Sequence, residues 1–261
     1  MRVGKAKWKL GGRGVPEEVW YIGDWSENLF ARAVAVVGSR RMTEYGRRVV
    51  ESLVPRLVDQ GWTVVSGFMY GVDQEAHRVC VECGGKTVAV LGWGINERLE
   101  TSDQRLADEI VKSGGLLISE WEDQKPTLWT FPARNRIVAA IASQIYVVEA
   151  AAKSGALITA RMGRELGREI WAVPGPVTST VSVGTNWLIK TGQAQMWVPN
   201  ESMSRDTKKG DLYTMLQNEI LTIDELVRKT GRSAEDLGAE LTMMTLRGEV
   251  VEREGKYYVN D

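Results

Sequence analysis

The sequence predicts a doubly wound α/β domain with a mostly parallel sheet, followed by a small domain of winged-helix type. Three observations carry this reading. Between residues 31 and 198, apolar runs of four to six residues alternate with segments of helical period; the loops after several of these runs are rich in glycine, serine and arginine; and past residue 198 the pattern changes to three helical segments and a hairpin.

Strands are expected over 33–37, 62–66, 87–91, 116–119, 145–149 and 170–173, where runs such as AVAVV and IYVVE leave almost no polar residue for a solvated face. Such continuous runs suit a sheet buried on both sides by crossover helices. The first crossover is YGRRVVESLVPRLVDQG, in which Val49, Leu53, Leu57 and Val58 recur at helical spacing and Gly61 supplies the stop. Residues 1–30 are read as an N-terminal extension and 31–198 as the large domain. The stretch VPNESMSRDTKKG loses its apolar period and gains proline, serine and charge, so 199–210 is read as a linker. In 211–261, helices are expected over 211–219, 222–230 and 233–247, and VVEREGKYYV reads as two strands about a Glu-Gly turn.

The whole chain is nearly neutral, with 33 basic and 34 acidic residues, but the charge is segregated. Residues 211–261 carry six basic and eleven acidic side chains, leaving 27 basic and 23 acidic upstream. A winged helix that grips duplex DNA needs cations for phosphates, whereas the candidate recognition helix here bears Glu235, Asp236 and Glu240. A protein-contact or regulatory role fits that domain better. A single histidine, His77, and two cysteines, Cys80 and Cys83, exclude zinc fingers and a disulfide scaffold and point to a reducing cytosol. No apolar run approaches the roughly 18 residues of a membrane span, and the start lacks the apolar stretch of a signal peptide, so a cytoplasmic protein is expected.

In an open parallel sheet, ligands bind at loops leaving the carboxyl ends of strands. Gly38, Ser39, Arg40 and Arg41 follow the first run: glycine permits close backbone approach, and arginines fork onto phosphate oxygens. The same residues also suit a turn with solvated arginines. The loop from Ser66 and Gly67 to Asp73 has two glycines for a tight turn and an aspartate placed to cap the next helix, and serves equally as architecture or as the wall of a nucleotide groove. Phe131, Arg134, Asn135 and Arg136 combine an aromatic ring for a base with groups for its phosphates; the alternative is a core phenylalanine beside surface arginines. Arginines at a helix start are disfavoured by the dipole unless an anion is near. Lys153, Ser154 and Gly155 precede a further helix whose first amides favour an anion.

Other patterns carry no site. Gly85-Lys86-Thr87 lacks the first glycine of a phosphate loop and precedes a strand, and the glycine pattern begun at Gly92 and Gly94 ends on Glu97. His77, Cys80 and Cys83 fan across more than one helix face, so no metal is expected. Glu120 and Glu149, at strand ends, are the only carboxylates available for catalysis, and a structural role suits both.

Taken together, VAVVGSRRMTEYG, TVVSGFMYGVDQEAH, TVAVLGWGI, LLISE, FPARNRIVAAIA, VVEAAAKSGALITAR, VPG and TNWLIKTGQA resemble, in order and spacing, the DNA-processing protein A (DprA/Smf) family of bacteria. The resemblance reaches the strand-like VPEEVWYIGD upstream and the acidic tail. It implies an extended Rossmann-like fold that binds single-stranded DNA in a basic pocket, forms a homodimer, and protects incoming DNA and delivers it to RecA recombinase in natural transformation. By motif, Gly38, Ser39 and Arg40 correspond to the phosphate-binding turn, Phe131, Arg134, Asn135 and Arg136 to a stacking and backbone-gripping segment, and Lys153, Ser154 and Gly155 to the rest of the pocket. Leu188 and Ile189 correspond to the dimer face. No enzymatic activity and no cofactor are implied. The chain departs from the pattern in the second loop, where members usually carry a small residue and then arginine and this sequence has Met69 and Tyr70. The alternatives are a Rossmann-like nucleotide-binding enzyme or nucleotide sensor, and a protein whose tail grips duplex DNA.

Overall fold

Every residue of the run AVAVV is buried, and its side chains alternate between two apolar layers: Ala33, Ala35 and Val37 enter one, Val34 and Val36 the other. A strand buried on both faces needs a layer of helices on each side, and that requirement sets the architecture. The computed structural model describes residues 3–8, 15–199, 212–213, 215–217, 219–253 and 255–259. It divides into two compact units, Met1–Val198 and Pro199–Asp261.

In chain order the first unit contains β1 (Val3–Lys7), β2 (Glu18–Gly23), α1 (Asn28–Ala31), β3 (Ala33–Val37), α2 (Glu44–Asp59), β4 (Thr63–Ser66), α3 (Val72–Glu82), β5 (Thr87–Val90) and α4 (Thr101–Lys112). It continues through β6 (Leu116–Ser119), α5 (Thr130–Ile141), β7 (Gln144–Val147), α6 (Gly155–Glu165), β8 (Glu169–Ala172), α7 (Val183–Lys190) and β9 (Gln195–Met196). These strands form a nine-stranded sheet in the order β1-β2-β6-β5-β4-β3-β7-β8-β9. Neighbours from β6 through to β9 are parallel, while β1 with β2 and β2 with β6 are antiparallel. The sheet is therefore the mostly parallel, doubly wound one expected; β2 falls in the strand-like VPEEVWYIGD, and the strands the sequence did not reveal are the two at its edges, β1 and β9. Residues 3–7 hide theirs because glycine and lysines interrupt the apolar alternation: β1 reads VGKAK.

Helices α2 and α3 pack Val50, Leu53, Val54, Ala76 and Cys80 against one face of the sheet, and α5, α6 and α7 pack Ile137, Val138, Ala160 and Leu188 against the other. The start of α2 is held by Thr43, whose hydroxyl accepts from the Gly46 amide at 3.2 Å. Gly61, at φ +76°, lets the chain reverse into β4.

In the second unit, residues 212–213 and 215–217 are helical, whereas residues 211, 214 and 218 of the helix expected there, and residues 200–210 of the expected linker, lie outside the described residues. Then come β10 (Leu221–Thr222), α8 (Ile223–Thr230), α9 (Ala234–Leu246), β11 (Val250–Arg253) and β12 (Lys256–Val259). Helix α8 begins with a capping box, the Thr222 hydroxyl accepting from the Glu225 amide while the Glu225 carboxylate accepts from the Thr222 amide. Leu226, Leu237, Leu241 and Val250 close the core of this winged-helix domain.

His77, fully buried on α3, reads out the integrity of the large core. The Thr87 hydroxyl donates to the Val64 carbonyl, so the imidazole Nδ1–H donates to Thr87 at 2.7 Å and the ring sits neutral, its Nε2 without a partner among the described residues. Burial, helped by the Arg134 charge, pulls its pKa from 6.5 down to about 3. The unfolded chain takes the proton first, so the stability this contributes is complete above about pH 6.5 and lost as pH falls toward 3. The loss approaches about 1.4 kcal/mol per pH unit. Chemical denaturation between pH 7 and 5 should show this slope and His77→Gln should lack it. Carboxylates common to both proteins, such as the buried Asp73, cancel in the difference, and equal slopes would contradict the assignment.

Candidate nucleic-acid interface

Strand β3 pairs with β4 on one edge and β7 on the other, so the strand order reverses there and the loops that follow diverge to leave a crevice. Four segments meet at that crevice. The loop after β3 brings Gly38, Ser39, Arg40 and Arg41; the loop after β4 brings Gly67 and Met69; α5 brings Phe131, Arg134 and Asn135; and the loop after β7 brings Lys153, Ser154 and Gly155. Together they line a cavity of about 540 Å³.

Close contacts hold the loops in register. A side chain at Gly38 would strike Val72 at 2.6 Å, and one at Gly71, whose φ is +83°, would strike the Ser39 carbonyl at 2.3 Å. The Val72 amide donates to that carbonyl at 3.2 Å, and the Ser39 hydroxyl accepts from the Arg41 amide at 3.0 Å. Phe68 takes φ +59°, a conformation that side chains rarely adopt, and is held in it by a fully buried ring against His77. Across the cavity, Ser154 caps α6 by accepting from the Ala156 amide at 3.3 Å, and the Asn135 side chain donates to the Gly155 carbonyl at 3.3 Å, tying α5 to α6. The Arg40 guanidinium lies 4.9 Å over the Phe131 ring, whose other contacts include the side-chain-free Gly92.

The charges divide into a buried pair and an exposed rim. Arg134 is only 2% exposed; its Nη1 donates to the Val90 carbonyl at 2.7 Å, and its Nε has no partner among the described residues. Burial pulls its pKa down to about 10, against the opposing pull of Asp73. Asp73 is the one carboxylate among the cavity-lining residues. Burial holds it above the ordinary carboxylate range, opposed by Arg134 and by the Met69 and Gly38 amides. Arg40, Arg41 and Lys153 are exposed. The net positive charge a ligand meets is therefore on the rim.

Several sequence expectations change. Arg134, read as a backbone-gripping cation, is instead a buried support: its guanidinium occupies the space over Gly67, where a Cβ would lie 1.8 Å from Nη1. Arg136 is turned out of the cavity into an ion pair with Glu120. Ser66 is fully buried, donating to the Val36 carbonyl at 2.6 Å, and its backbone neighbour Gly67 lines the cavity in its place. Asp73 does not cap α3, whose N-cap is Gly71; it lies inside the helix, facing Arg134. Glu149 accepts from the Thr43 amide at 2.9 Å and from the Thr43 hydroxyl, which anchors the start of α2. Leu188, read as a dimer contact, is 2% exposed because helical spacing turns it with Gly184 and Thr185 into the core; Ile189 is half-buried against that core, and Val183 and Trp187 are the exposed apolar residues of α7. Leu128 lines the cavity without having been marked in the sequence, since it is an ordinary apolar residue whose role comes only from its place, and Met69, noted there only as a departure from the family pattern, lines it too.

The family model for DNA recombination-mediator protein A matches residues 9–208, and that for the DprA winged helix domain matches 199–256. Protein Smf of Escherichia coli is 32% identical, the match covering 88% of this chain and 68% of that protein. The DNA processing protein DprA of Bacillus subtilis is 32% identical over 76% of this chain and 67% of its own length. Among solved structures, DprA of Streptococcus pneumoniae superposes with a TM-score of 0.67 at 33% identity, covering 77% of this chain and 70% of that one. DprA of Helicobacter pylori, described for its single-stranded DNA binding mode, superposes with a TM-score of 0.68 at 27% identity, covering 80% of this chain and 97% of that one. With its fold, its loop motifs and both family models in agreement, the chain belongs to the DNA recombination-mediator protein A family.

Proposed function

We propose that this chain is a non-catalytic single-stranded DNA-binding protein that holds the strand in the cavity at the β3 reversal. The observation that carries this reading is the gathering of Arg40, Arg41 and Lys153, the α6 N-terminus and the Phe131 ring around one opening. Cations and helix amides take phosphates, the ring takes a base, and the cavity is open enough for a chain to enter and leave. Arg40 rests on Phe131 in the free protein. A phosphate that draws the guanidinium off the ring exposes the platform a base needs, so the two contacts form together. The relative from Helicobacter pylori, named for binding single-stranded DNA, supports the same assignment.

Within the family's context the protein acts in the cytoplasm as a homodimer, protects incoming DNA and loads RecA recombinase on it during natural transformation and recombination. The acidic second domain fits a protein contact better than duplex DNA: α9 starts with Glu235 and Asp236 and exposes Met243 and Leu246. No helix among the described residues is long and apolar enough to cross a membrane. The reading as a nucleotide-binding enzyme is disfavoured because Glu120 and Glu149 are both engaged in structural contacts.

Fluorescence anisotropy with single-stranded oligonucleotides of rising salt should give a log–log slope near −2, three exposed cations each releasing roughly 0.7 of a counterion from a single strand. Arg40→Ala and Phe131→Ala should each weaken binding by about 1–3 kcal/mol, while Arg136→Ala, outside the cavity, leaves it unchanged. Wild-type affinity in both of the first two variants would remove the cavity from the path of the DNA. Arg134→Met should act on the fold itself, since the Val90 carbonyl and Asp73 lose their partner: a stability loss on the order of 2 kcal/mol or more is expected in urea denaturation. Undiminished stability would show that Arg134 does not support the cavity floor.

A further inference from the structure

A second cavity, of about 230 Å³, lies beside the first and shares Phe131 and Met69 with it. Its character is different. The walls are the apolar and aromatic side chains of Met69, Tyr70, Trp93 and Phe131, with Trp93 edge-on to Phe131 at 6.3 Å between ring centroids. Its polar groups are the carboxylates of Glu97, Glu100 and Asp103, the guanidinium of Arg98 and the Gln74 amide, which donates to Asp103 Oδ1 at 3.1 Å. Glu97 and Asp103 are half-buried.

Resting on the single-stranded DNA reading above, we propose that this second cavity is a base-recognition subsite that takes guanine. Two constraints lead there. Clustered carboxylates repel phosphates, so a strand whose backbone follows Arg40, Arg41 and Lys153 can send only a base around Phe131 into the neighbouring cavity. The acceptors then choose among bases. Guanine offers two adjacent donors, N1–H and the N2 amino group, which a carboxylate accepts as a pair, and it also carries O6 and N7 as acceptors for Arg98. Cytosine and adenine offer one amino group, and thymine sets two carbonyl oxygens against the acids. The tyrosine completes the site. Glu100 and Asp103 lie near enough to Tyr70 to raise its phenol pKa, so its hydroxyl stays protonated and able to donate. A second-loop arginine at this place would cancel the acids; Tyr70 brings no such charge.

The test is an anisotropy titration of a labelled oligothymidylate whose central base is replaced singly by guanine, adenine or cytosine. The guanine strand should bind at least about fivefold more tightly than the all-thymine strand, the lower bound for one good bidentate base contact. Glu100→Gln and Asp103→Asn, combined, should collapse that ratio while affinity for the all-thymine strand holds or rises as negative charge is removed. Equal affinity for all four strands, or a guanine preference that survives both substitutions, overturns the subsite and leaves single-stranded DNA binding intact. Failure of every strand to bind overturns the proposed function and the subsite together.

Discussion

Strand β3 is paired along both edges by strands that come later in the chain: β4 follows after one helix, α2, and β7 only after four helices and three strands. A loop leaving β3 cannot follow both neighbours, so an opening forms where it parts from one of them. Everything else at the site is an elaboration of that opening. Phe131 reaches it because α5 starts at the same edge of the sheet, Lys153 because β7 ends there, and Gly67 because β4 does. The rim cations are sequence-distant and meet only because a doubly wound sheet brings alternate loops to one end.

The floor beneath the opening is a second constraint, imposed by burying charge. Arg134 and Asp73 each shift toward their neutral forms, and each resists the other's shift. A buried guanidinium needs acceptors and space; the Val90 carbonyl supplies the first, and the missing Cβ of Gly67 the second. Gly67 thus has a packing reason independent of turn geometry. The left-handed Phe68 beside it fits the same logic, because a loop made to pass over a buried cation and then enter α3 has few conformations left. Buried support and exposed charge fall to different arginines, Arg134 of α5 and Arg40 and Arg41 of the β3 loop.

That separation explains what the sequence could and could not reveal. The strands were legible because burial on both faces demands unbroken apolar runs, and every residue of AVAVV and LLIS is buried. The site loops were legible because glycine, serine and arginine cluster just past those runs. Sequence order alone does not tell an exposed arginine from a buried one: Arg134 and Arg136 are two residues apart, yet helical rotation sends one under the cavity and the other to Glu120. Leu188 and Trp187 differ in the same way by a single step. Edge strand β1 escaped notice for the converse reason, since a strand with a solvated face keeps polar residues and loses the apolar run.

The distribution of charge follows from the same geometry. A protein that gripped nucleic acid over its whole surface would need a basic chain, and this one is nearly neutral. Here the charge is local instead: three exposed cations, Arg40, Arg41 and Lys153, stand around one opening. The acidic groups are kept apart from that rim: Asp73, the one carboxylate among the lining residues of the first cavity, is buried beneath it, and Glu97, Glu100 and Asp103 line the neighbouring one.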